Sequence, residues 1–148
     1  MTTESAQGAA VVALVRCESY GEARVYDALL KGLQLLGGVE RFVRSDERVV
    51  LKPNLLAGRG PERAVTTHPS VFRAVAQAFS DAGADVRYGD SPGFGKTETI
   101  AGRAGLAAVA KKLGIATADF QNGETVSFPE GDLIKQFTVA KGVLRPTA

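Results

Sequence analysis

"ERVVLKPN", residues 47–54, places three apolar side chains in a row, Val49, Val50 and Leu51, directly before Lys52, Pro53 and Asn54. A strand with one wet face alternates apolar and polar residues, whereas a strand covered on both faces is apolar throughout. This run is of the second kind and predicts a strand of a parallel sheet that Pro53 terminates.

The segments on either side fit that reading. Upstream, "AAVVALVR" (residues 9–16) is another continuous apolar run of strand length. "GEARVYDALLKGLQLLGG" follows (residues 21–38), with Val25, Leu29, Leu33 and Leu36 spaced as one helical face. Gly37-Gly38 is its expected stop. Downstream, "TTHPSVFRAVAQAFSDAGA" (residues 66–84) reads as a helix with Thr66 or Thr67 as its cap, Pro69 in its first turn and Phe72, Val75, Ala76 and Phe79 on its apolar face. "ADVRYGD" (residues 84–90) is a third strand. "TETIAGRAGLAAVAKKLG" (residues 97–114) is a third helical stretch weakened by Gly102 and Gly105. "ATADF", "ETVSF" and "LIKQFTVA" then read as strands, the first two around a turn at Gly123.

The order β-α-β-α-β-α followed by a strand-rich tail predicts an α/β domain of three layers. It has a mainly parallel sheet, right-handed crossovers and helices on both faces. Residues 1–8, polar and small, read as a disordered tail, and 9–148 as a single domain. In such folds ligands bind outside the carboxyl ends of the strands. The first strand ends at Cys17, Glu18, Ser19 and Tyr20, the second at Lys52 to Asn54, the third at Gly89 to Gly93, and all should meet along one edge with Thr66 and Thr67.

Composition limits the chemistry. The chain has 148 residues, 45% hydrophobic and 23% charged, the balance of a globular domain that folds without metals or disulfides. A net charge of +2 with no dense Lys/Arg run argues against nucleic-acid binding. Cys17 and His68 are its only cysteine and histidine, so this chain alone can build neither a four-ligand zinc site nor an iron–sulfur cluster, and no metal site is expected. One cysteine fits a reducing compartment, no apolar run reaches 18 residues, and the first ten residues do not resemble a secretory signal. The expected location is the cytoplasm, away from membranes.

"GDSPGFGKT", residues 89–97, imitates a phosphate-binding loop. That loop needs Gly, four residues, then Gly-Lys-Ser/Thr. The spacing puts Asp90 where the first Gly belongs, and its carboxylate would repel a phosphate; Gly89 lies one residue too early. The informative half is the first, where Asp90 and Ser91 leave a strand end and a nucleotide-hydrolysing loop becomes the lesser alternative. A plain strand-to-helix turn, with Gly93 and Gly95 supplying unusual backbone angles, is the other reading. Lys52 reads as an anion-binding group or proton acceptor, with a strand-end Lys reaching solvent as the alternative. Asn54 is a ligand contact or a loop residue bonded to its own backbone. His68, at a helix start, is a neutral surface residue or a functional one.

Together "VVLKPNL", "TTHPSVFRAVAQAFSDAGA" and "GDSPG" resemble the bacterial and archaeal family known as domain of unknown function 362, over residues 11–143. The resemblance implies that Lys52, Asn54, Thr67, Pro69, Asp90, Ser91 and Gly93 are signature positions. It also implies a link to iron–sulfur proteins, since members often carry [4Fe–4S] modules on the same chain. Family domains continue past the equivalent of residue 148, so the chain is expected to be the N-terminal part of a larger domain, a fragment or a half that works with a partner. The combined expectation is a site for a small anionic molecule or cofactor. Lys52 and Asp90 are its chemical groups, and Asn54, Thr66, Thr67, His68, Ser91 and Gly93 its ligand contacts. Self-association or docking to an iron–sulfur chain is the partner expectation; a non-catalytic module for such a chain is the competing reading.

Overall fold

The computed structural model describes residues 10–144; the tail expected at 1–8 lies outside them. Helix α1 spans Glu22–Leu35, strand β1 Arg48–Leu51, helix α2 Pro69–Asp81 and strand β2 Asp85–Tyr88. Helices α3 (Thr97–Arg103) and α4 (Leu106–Leu113) follow, then strands β3 (Ala116–Thr117), β4 (Gly123–Ser127) and β5 (Gln136–Ala140). Single 3₁₀ turns occupy Val39–Arg41, Pro61–Arg63 and Lys141–Val143.

The sheet is parallel with order β1-β2-β3, and Val49 is in register with Val86 and Leu51 with Tyr88. Those four side chains share one face and meet Phe72 and Ala76 of α2, Ile100 and Ala101 of α3, and Leu106 and Ala110 of α4 in one core. Both crossovers therefore lay their helices over the same face, as right-handed connections between sequential neighbours require. The α/β class and the parallel sheet stand.

Four expectations need correction. The run at residues 9–16 forms no strand where it is described, from Ala10 onward. The second helical layer is also missing among the described residues. Helix α1 packs chiefly on α2, with Tyr26 Oη donating to Asp81 Oδ2 at 3.0 Å, and buries only Val25 fully. The sheet's other face carries Arg48, Val50, Asp85 and Arg87; Asp85 pairs with both arginines. A sheet residue with no apolar layer above it must face a charge or water, and this one faces charges. Third, the hairpin is β4–β5, antiparallel from Gly123↔Ala140 to Ser127↔Gln136, while "ATADF" supplies β3 to the parallel sheet. Gly123 is thus a strand residue, and the chain reverses between 128 and 135. Fourth, the cap of α2 is His68, not a threonine, with its Nδ1 accepting from the Ser70 N–H at 3.2 Å.

The weakness expected in the third helix becomes a break. Gly105 has φ +81°, a left-handed conformation that a Cβ would penalise, and it divides α3 from α4. The reversal of the β4–β5 hairpin exposes Leu133 and Ile134 beside the edge-to-face pair Phe128–Phe137.

Candidate functional site

β1 and β2 end side by side, and the residues that leave them meet. Lys52 Nζ lies 2.8 Å from Asp90 Oδ1 and donates to Asn54 Oδ1 at 2.7 Å. Asp90 is 4% exposed. Its Oδ2 accepts the buried Leu55 N–H at 2.6 Å, and its Oδ1 also accepts the Ser91 N–H at 2.9 Å. Both carboxylate oxygens are thus occupied by groups of this chain. Burial alone would push the Asp90 carboxyl up. The hydrogen bond and charge of Lys52, with the Leu55 and Ser91 amides, outweigh it and hold the group below its ordinary value.

The loop after β1 is shaped by these bonds. Asn54 sits at φ +52° and Leu56 at φ +36°. Asn tolerates the left-handed region better than most residues, and that conformation turns the Leu55 N–H inward toward Asp90. Leu55 itself is wholly buried in the core. Thr66 and Thr67 fasten the loop from the other side. Thr66 Oγ1 lies within donating distance of the Pro53 and Asn54 carbonyls, at 3.1 and 2.7 Å, and Thr67 Oγ1 donates to the Pro53 carbonyl at 2.9 Å. Their hydroxyls tie the start of α2 to the end of β1.

His68 stacks on Tyr20, ring centroids 3.9 Å apart and planes 16° from parallel. Tyr20, Pro61, Ala64, Thr66, Thr67, His68 and Val71 line a cleft of about 300 Å³. An Nδ1 that accepts the Ser70 amide hydrogen leaves the ring proton of neutral His68 on Nε2. The end of the first expected strand therefore reaches the site even though the strand does not form.

In the imitation phosphate loop, Thr97 is buried and its hydroxyl donates to the Asp90 carbonyl at 2.7 Å. A phosphate loop needs that hydroxyl for the metal. Lys96 is exposed at the start of α3. Ser91 and Gly93 are exposed, and a Cβ on Gly93 would meet nothing within 4 Å.

The structure thus brings Lys52, Asn54, Asp90 and Ser91 into one cluster, joins it to Thr66 and Thr67 through their hydroxyls on the Pro53 and Asn54 carbonyls, and sets His68 with those threonines in the adjoining cleft. Gly93 stands in open space. Tyr20, the Leu55 amide and the Thr97 hydroxyl also shape the site. An aromatic near an expected strand end was the available signal for Tyr20; nothing in the sequence marks a particular backbone amide.

The family model described as Domain of unknown function (DUF362) matches residues 49–147, and the chain belongs to this family. It is 39% identical over 112 residues to a thylakoid-associated protein of Synechocystis sp., a match covering 76% of this chain and 35% of that relative. The chain thus spans about a third of the length of the curated relative it matches. No solved structure matches it. Among the described residues, no helix is long and apolar enough to cross a membrane.

Proposed function

We propose that the chain carries a binding surface for a small anionic molecule at the carboxyl edge of β1 and β2, with Lys52 as its principal contact and Asp90 as the residue that positions Lys52. The observation that carries this reading is the Lys52 ammonium. Its side chain is 56% exposed, and its position is fixed by Asp90 and Asn54. An ammonium has three N–H donors. Two are taken, and the third is left for a ligand. Exposed Ser91 and the donor His68 Nε2–H are the accessory contacts, and the dipole of α2 adds positive potential at its start. Thr66 and Thr67, whose hydroxyls are spent on Pro53 and Asn54, hold the loop in place.

Three of the roughly four acceptor positions of the Asp90 carboxylate are taken by groups of this chain, which argues for a positioning role over direct chemistry. Thr97, spent on the Asp90 carbonyl, argues against nucleotide hydrolysis. We place the protein on the cytoplasmic side; the name of its Synechocystis relative adds attachment at a membrane surface as a compatible mode.

The test uses inorganic phosphate and acetate as probes, titrated into ¹⁵N-labelled protein. Saturable shifts concentrated at Asn54, Leu55, Ser91 and the start of α2 are expected. Lys52→Gln should weaken binding by about 10- to 100-fold, the loss of one charge-assisted contact of about 1.5–3 kcal/mol. Shifts scattered over the surface, or unchanged affinity in the variant, would refute the reading.

A further inference from the structure

Residues 10–18 have no helix, turn or bend, the first bend coming at Ser19. None of its backbone N–H or C=O groups bonds another group among the described residues. Burial alternates along it: Ala13 and Val15 are half-covered, and Val15 packs over Gly32 of α1. Val12 and Leu14 point away, 85% and 94% exposed, with Val11 at 69%. The segment has the alternating burial of a strand and no ladder. Water solvates these exposed amides and carbonyls, but lipid or a small apolar ligand cannot pair them, and the partner whose own row of donors and acceptors matches them is another strand. Natural edges are guarded by charge or proline, and residues 10–15 contain neither.

We propose that residues 10–16 pair with the same residues of a second copy of this chain, antiparallel about Ala13. The sequence is self-complementary in this register. Residue 12 then faces 14 and 11 faces 15, so each side chain stays on its own face, and Arg16 faces Ala10. A parallel pairing would set Arg16 against Arg16, a destabilising like-charge contact. Seven residues make an ordinary strand, and a bare two-stranded ribbon is marginal in water. Here each strand already rests on its own α1 through Ala13 and Val15.

Light scattering after size-exclusion chromatography, over a concentration series, should give twice the 15.5 kDa chain mass. Val12→Lys with Leu14→Lys alters two side chains that touch no core, so circular dichroism should stay unchanged while the mass falls to that of one chain. For register, Cys17→Ser is the background, and chains carrying Val12→Cys are mixed with chains carrying Leu14→Cys. Oxidation should cross-link the mixture and leave each variant alone largely without a covalent cross-link, as read by denaturing electrophoresis without reductant. A single-chain mass at every concentration overturns the proposal, including where an unrelated polypeptide is captured instead. It is equally overturned if the double-lysine variant keeps the doubled mass, or if Val12→Cys alone cross-links as well as the mixture.

Discussion

Replacing Asp90 by Ala should destabilise the fold more than it alters any surface property. The carboxylate accepts the Leu55 N–H at 2.6 Å, the Ser91 N–H at 2.9 Å and the Lys52 ammonium at 2.8 Å. These losses differ in weight. Leu55 is completely buried, so its amide has no water to turn to and costs about 1–3 kcal/mol when orphaned. Ser91 and Lys52 are exposed and re-solvate, together adding about 1 kcal/mol. The empty carboxylate volume adds roughly another 1 kcal/mol. The sum is about 3–5 kcal/mol, a large part of the ~5–15 kcal/mol that holds an ordinary domain together. Urea unfolding at pH 7 measures it, and the melting temperature should fall on the order of 10 °C. Asp90→Asn keeps one acceptor oxygen for Leu55 and should cost about half as much.

The same residue predicts a pH dependence. Its folded-state pKa lies below the ordinary 3.8, so its contribution is fully present above that value and is lost as pH falls through the lower folded value. Asp90→Asn should lose this part of the acid sensitivity. If Asp90→Ala stays within 0.5 kcal/mol of the parent, a margin typical of surface changes, then its bonds are not what holds the Leu55 loop, and the positioning role of Asp90 falls with it.

Three further perturbations probe the surroundings. Thr97→Val removes the hydroxyl that donates to the Asp90 carbonyl and should cost about 1 kcal/mol in thermal unfolding, while Lys96→Ala stays within about 0.5 kcal/mol; Mg²⁺-ATP binding by the parent that is lost in Lys96→Ala would contradict this assignment. Gly89→Ala should destabilise by about 1–3 kcal/mol, because a Cβ there would collide with the Phe120 ring and come within 3.2 Å of the Ala118 carbonyl; equal stability in urea would mean that the β3 end yields easily. His68→Ala should cost about 0.5–2 kcal/mol through loss of the cap on α2, whereas His68→Asn, which can also accept from the Ser70 amide, should recover most of it in the same thermal assay.

Much of the molecule was legible in order and composition. Val49 to Leu51 announce a strand of a parallel sheet, the 3.6-residue spacing of Phe72, Ala76 and Phe79 gives α2 its core side, and Gly102 and Gly105 mark the third helical stretch as weak. The cluster of Lys52, Asn54, Asp90 and Ser91 follows from one rule, that parallel strands deliver their following loops to a common edge. Such signals are local or depend on connectivity, so a sequence carries them whole.

The rest depended on which groups found partners in space. Residues 10–16 have the composition of a strand, but a strand exists only with a neighbour, and none of the described residues offers one. Which threonine or histidine caps α2 turned on the reach of three adjacent side chains toward Pro53, Asn54 and Ser70. Asp90 is a polar residue at a strand end in any reading of the sequence. Tertiary structure alone decided that three of the carboxylate's roughly four acceptor positions go to a backbone amide 35 residues away, to its neighbour's amide and to Lys52, because the Leu55 amide and the Lys52 ammonium come within bonding reach only once the chain is folded.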